Sequence, residues 1–104
     1  MTTQRVRTAL VGCGKVGQMQ AQALASLPES HFVAVCDRSA DRAGAFGERY
    51  GAEPFTDLSA LLSFLKETGE PSAVFLCTPH PLHAGAAIQA ARAGVHVLVE
   101  KPLA

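Results

Sequence analysis

Ala9-Leu10-Val11-Gly12-Cys13-Gly14-Lys15-Val16-Gly17 is the stretch whose reading decides the fold. An apolar run leads into the first glycine, and a run of helical character over residues 16–27 follows the last. A second apolar run then closes on Asp37. An acid about 20 residues past the glycines is where a dinucleotide site needs an acceptor for the adenosine ribose hydroxyls. Gly12 permits the sharp turn off the strand, Gly14 lets a diphosphate approach the main chain, and Gly17 lets the helix pack closely. Cys13, Lys15 and Val16 complete a loop whose N–H groups, at a helix N-terminus, attract phosphate. Lys15 either adds to that attraction or is a solvated surface charge. The competing reading of the whole stretch is a structural glycine turn in another α/β protein.

Size and composition narrow the classes. A chain of 104 residues makes one domain, here taken as 1–104. A domain of this size buries roughly two-thirds of its unfolded surface, and 48% hydrophobic residues supply a core. Bases and acids balance at 9 each, which points away from nucleic acid and anionic membranes. Three cysteines, Cys13, Cys36 and Cys77, form an odd set near strand ends, expected as reduced thiols in the cytoplasm. Arg5 and Arg7 interrupt any signal-peptide pattern, and no aliphatic run is long enough to span a bilayer. The chain contains no Asn, so it holds no N-glycosylation sequon. The expectation is a soluble, cytoplasmic protein.

Short apolar runs alternate with longer periodic ones along the chain, which predicts a parallel sheet with crossover helices. Strands are expected over residues 6–11, 32–36, 55–56, 73–77 and 95–99. The first helix carries Val16, Met19, Ala23, Leu24 and Leu27 as its apolar set, and Pro28 ends it. Ser39 caps the second helix, with Asp41 in its first turn and Gly51 at its end. Asp57 caps a third, whose Leu58, Leu61, Leu62 and Leu65 form a core stripe. A fourth, alanine-rich helix is expected over residues 82–93.

Right-handed crossovers then give an α/β, doubly wound parallel Rossmann sheet of order 3-2-1-4-5. Its crevice opens between strands one and four. The glycine loop, the loop Thr78-Pro79-His80-Pro81-Leu82-His83 and the strand-five end Glu100-Lys101 all border it.

Asp37 repels a 2′-phosphate and so favours NAD, with NADP tolerated. Arg38 leaves that open, since a guanidinium there stacks on adenine, pairs with a 2′-phosphate, or lies solvated.

The stretch Ala90-Ala91-Arg92-Ala93-Gly94-Val95-His96-Val97-Leu98-Val99-Glu100-Lys101-Pro102, with the Thr-Pro loop and the glycine loop, resembles the Gfo/Idh/MocA family. This is the family of glucose–fructose oxidoreductase and inositol dehydrogenase, and the resemblance covers nearly the whole chain. It implies hydride transfer between a nicotinamide dinucleotide and a sugar, polyol or related hydroxyl-bearing substrate. It implies a catalytic or polarising Lys101 beside the nicotinamide, with Glu100 orienting it or touching the ribose. Thr78, Pro79, His80 and His83 would shape the loop beside the cofactor, His80 standing where many relatives carry Asn. Lys101–Pro102 is a candidate cis bond. The bland alternative for Lys101 is a surface lysine at a strand end. Cys77-x-x-His80-x-x-His83 lacks a fourth ligand, and no metal is expected there.

Family members continue for a few hundred residues beyond Glu-Lys-Pro into a second α/β domain that binds substrate. This chain ends at Ala104. The expectation is a truncated product that binds cofactor without turnover and meets a small-molecule substrate only where a second domain is present. The open edge at strand five would admit association between copies. Two other classes compete: a non-enzymatic dinucleotide-sensing or interaction module, which needs only the glycines and Asp37, and an S-adenosylmethionine methyltransferase. The three-glycine spacing and Glu100-Lys101-Pro102 weigh against the methyltransferase.

Overall fold

The computed structural model describes residues 6–28, 30–67, 71–77 and 96–99, with the side chains of residues 15, 16 and 97–99 outside that description. Eight elements follow in order: β1 (Val6–Val11), α1 (Lys15–Ser26), β2 (Ser30–Cys36), α2 (Ala40–Tyr50), β3 (Glu53–Phe55), α3 (Leu58–Lys66), β4 (Ser72–Leu76) and β5 (His96–Val99). The strands form one sheet of order β3-β2-β1-β4-β5, parallel throughout. That is the expected winding. The helix expected over 82–93 lies outside the described residues.

Alternation along each strand divides the core in two. Ala9, Val11, Ala34, Cys36, Val74 and Leu76 meet Leu61, Leu62 and Leu65 of α3 on one face. On the other, Leu10, Phe32 and Val35 meet Ala21 and Leu24 of α1, with Phe46 and Tyr50 of α2 packed at the margin. Leu10, Leu24, Leu61 and Leu65 are fully buried, each worth about 1.5–3 kcal/mol of transfer free energy. The leucine stripe of α3 is core, as its spacing predicts.

The apolar set assigned to α1 requires correction. Met19 is 72% exposed and Leu27 50% exposed, and Ala23 is exposed too. The face turned to the sheet is Gly17, Ala21 and Leu24 instead. The cause is the close approach of the helix to the strand. A β-carbon on Gly17 would overlap the Gly12 carbonyl oxygen, so the contact line follows small residues at four- and three-residue steps rather than the largest apolar ones.

Other boundaries move slightly. β2 begins at Ser30, where a bond of 2.7 Å joins Thr8 Oγ1 and Ser30 Oγ inside the sheet. β3 takes in Glu53 and Pro54 because it is an edge strand, where a missing N–H costs no ladder bond. Ser39 Oγ accepts from Arg42 N at 3.3 Å, and Asp57 Oδ2 from Ala60 N at 3.1 Å, so both expected caps form. Gly51 ends α2 in the left-handed region, at φ 68°. Among the described residues no helix is long and apolar enough to cross a membrane.

Candidate functional site

The parallel ladder delivers three strand ends to one edge. Main-chain bonds continue it one residue beyond each strand: Gly12 N to Cys36 O at 2.8 Å, Cys77 N to Val11 O at 2.7 Å and Asp37 N to Phe55 O at 3.0 Å. Gly12 then turns at φ 104°, a conformation that favours glycine. The chain enters α1 through Gly14, so the loop sits at the carboxyl end of the central strand, where a doubly wound sheet forms its crevice.

The two ends of the expected site meet directly. Asp37 Oδ1 accepts from Cys13 N at 2.8 Å, and Oδ2 accepts from Ser39 N at 2.8 Å. One carboxylate thus ties the glycine loop to the head of α2. Asp37 remains partly exposed, and each carboxylate oxygen has a second lone pair for an outside donor.

The N-terminus of α1 is built differently from its neighbours. Ser39 and Asp57 cap α2 and α3 with side-chain oxygens, but Gly14 gives α1 no side-chain cap and its first turn holds no acid. The first N–H groups of α1 therefore receive no side-chain acceptor from the cap, with the helix dipole behind them. Gly14 itself is exposed with extended backbone, and a β-carbon there would meet nothing within 4 Å of the chain. Glycine suits the N-cap position, and no clash within the protein requires it there.

Two thiols floor this edge. Cys13 is pushed up to about 12, first by burial, then by the negative charge of Asp37, with the Arg42 guanidinium working in the opposite direction. Cys36 is pushed up to about 11 by burial and by Asp37 and Asp57. Both stay protonated at neutral pH and serve as small apolar packing. No disulfide joins Cys13, Cys36 or Cys77 among the described residues.

Gly12, Cys13, Gly14, Gly17 and Asp37 are gathered in one place, with Arg38 exposed beside them. The main chain of Lys15 and Val16 opens α1. Thr78, Pro79, His80, His83, Glu100 and Lys101 lie outside the described residues. So does the Lys101–Pro102 bond. Among the described residues no cluster of three metal-ligating side chains occurs. Sequence reasoning missed Ser39 as a partner of Asp37 and Arg42 as a charge near the loop. The signal for the first was present, since Asp37-x-Ser39 is a turn in which an aspartate accepts from the N–H two residues on.

Comparison with known proteins agrees with this geometry. Residues 6–104 match the model of the oxidoreductase family with an NAD-binding Rossmann fold, the Gfo/Idh/MocA group. The chain belongs to that family. It is 39% identical over 99 residues to the dTDP-3,4-didehydro-2,6-dideoxy-alpha-D-glucose 3-reductase of Actinomadura kijaniata, covering 94% of this chain and 29% of that protein. The crystal structure of KijD10, a 3-ketoreductase from the same organism in complex with TDP-benzene and NADP, superposes with a TM-score of 0.83. That match has 37% identity and covers 96% of this chain and 31% of that one. The WlbA dehydrogenase of Bordetella pertussis, in complex with NADH and UDP-GlcNAcA, gives a TM-score of 0.85 at 35% identity, covering 97% and 30%. The chain therefore spans under a third of the length of the relatives it matches.

Proposed function

We propose that this chain is the coenzyme-binding part of a nicotinamide-dependent oxidoreductase acting on a sugar, polyol or related hydroxyl-bearing compound. The observation that carries the reading is the Asp37 tie to the glycine loop beside an uncapped α1. That edge offers what a dinucleotide needs: N–H groups without a side-chain cap for the diphosphate and a carboxylate for the adenosine ribose. Sugar-nucleotide relatives of similar sequence support the substrate class.

The nicotinamide ring, when bound, supplies the hydride acceptor or donor. The chain's own residues bind and orient. Gly12 makes the turn, Gly14 opens the main chain to the diphosphate and Gly17 seats α1 on the strand; the main chain of Cys13, Lys15 and Val16 lines the diphosphate, and Asp37 fixes the ribose. Lys101, assigned through the family resemblance, would stabilise developing alkoxide at the substrate carbinol through its ammonium. Glu100 would orient that ammonium, and Thr78, Pro79, His80 and His83 would enclose the nicotinamide end. Three cysteines held in no disulfide are in keeping with a cytoplasmic setting.

Titration with NADH, followed by nicotinamide fluorescence, tests the reading on the wild type and on Gly14→Ala. The substitution is expected to leave the circular dichroism unchanged, because its methyl group meets no protein atom, and to lower stability by no more than about 1 kcal/mol through the poorer N-cap. It is expected to weaken binding by about 10-fold or more, since it would stand where the diphosphate approaches. No turnover of sugars or polyols is expected from this chain alone. Equal affinity in both proteins, or no binding by either, contradicts the assignment.

A further inference from the structure

Resting on the dinucleotide reading above, we infer that Ser39 is a positioning residue for the coenzyme: its hydroxyl, by holding the head of α2, keeps the Asp37 carboxylate fastened to the glycine loop. The main chain of Asp37 is fixed by its neighbour strand, since Asp37 N donates to Phe55 O at 3.0 Å. The carboxylate is not fixed by that bond. The last torsion of an aspartate is broad, so the two oxygens keep one direction only where donors impose it. Ser39 N donates to Oδ2 and Cys13 N to Oδ1, both at 2.8 Å. The first donor is local, two residues along the chain; the second lies 24 residues away, in the glycine loop. The local bond sets the plane of the carboxylate, and the other oxygen then meets the loop.

The start of α2 fixes the local donor. Ser39 is the N-cap, extended at φ −85° and ψ 115°. Its carbonyl oxygen accepts from Ala43 N at 3.0 Å, and its Oγ accepts from Arg42 N at 3.3 Å. Any residue can make the first of these bonds, but the second needs a side-chain acceptor. The hydroxyl therefore stands in series with the loop, through the Ser39 N–H and the carboxylate. Asp57 caps α3 in the same way, accepting from Ala60 N at 3.1 Å, but α3 packs on the face of the sheet opposite α1. Gly14 gives α1 no side-chain cap of its own, so the loop that leads into α1 is braced from the neighbouring helix. A loop braced before the ligand arrives loses less freedom on binding, and affinity rises accordingly.

Amide exchange at Cys13 in the ligand-free chain and titration with NADH test this on wild type, Ser39→Ala, Ser39→Asn and Asp57→Ala. Ser39→Ala is expected to speed Cys13 exchange and to weaken NADH binding, each by more than about threefold. Ser39→Asn, which keeps a side-chain acceptor at the cap, is expected to return both to within about threefold of the wild type. Asp57→Ala, an equal loss of a cap elsewhere, is expected to move neither beyond that range. Weaker NADH binding by Ser39→Ala with Cys13 exchange unchanged overturns the inference, since the hydroxyl would then act on the coenzyme directly. So does faster exchange with unchanged NADH affinity, a failure of Ser39→Asn to restore both, or the same response in Asp57→Ala. A wild type that does not bind NADH overturns the dinucleotide reading, and this inference with it. A wild type that binds NADH, beside a Cys13 amide indifferent to Ser39→Ala, overturns this inference alone.

Discussion

Asp37 holds the glycine loop in place with the carboxylate that the sequence assigns to ribose recognition. Its position after the second apolar run was legible from spacing, and the Asp37-x-Ser39 turn was there to be read; the hydrogen bond from Cys13 N was not, because a main-chain partner distant in sequence leaves no periodic trace. The thiols were legible only as reduced. Their burial beside Asp37 yields a pH dependence that runs opposite to that of a paired carboxylate. The folded chain keeps protons on Cys13 and Cys36 up to about 12 and about 11, against an ordinary value of 9.0. Above pH 9 the unfolded chain has released them, so the folded form binds more protons and loses stability as pH rises toward 12. Below 9 these groups contribute no slope. Urea midpoints measured at pH 8 and pH 10.5 should fall in the wild type and fall less in Cys13→Ala and Cys36→Ala. An unchanged slope in both variants would contradict the assignment.

Element by element, caps read better than faces. Ser39, Asp57 and Gly51 were each readable from residue type and position, and each does the expected local job. The packing face of α1 was not readable, because hydrophobicity ranks Met19 and Leu27 above Gly17 and Ala21. A helix pressed onto a strand at a glycine selects small residues for its contact line, and the large ones turn outward. The α3 stripe was readable because its buried positions, Leu61, Leu62 and Leu65, are all large and apolar at helical spacing. Removing the cap of α3 should therefore give a local, ordinary loss. Asp57→Ala is expected to cost about 1 kcal/mol by urea unfolding, because Ala60 N loses its acceptor. NADH affinity should be unaltered, since α3 packs on the face away from α1. A loss above about 3 kcal/mol, or weakened coenzyme binding, would mean that the cap supports more than its own helix.

Across the molecule, the winding order was legible because right-handed crossovers leave few alternatives once five strands and their helices are placed. The order brings the ends of β1, β2 and β4 together, and that juxtaposition makes a site from segments far apart in sequence. The half of the site expected from residues 78–83 and 100–101 rests on motif resemblance. The proposed grip on a dinucleotide is narrower, needing only main-chain groups of the glycine loop and the carboxylate of Asp37. Amide chemical shifts of the isotope-labelled chain, recorded while NADH is added, test it most directly. The account predicts that the largest saturable shifts fall on Gly12 through Gly17 and on Asp37 through Ser39. Shifts confined to the opposite edge of the sheet, near Arg7, His31 and Glu53, or no saturable shift at all, would contradict it.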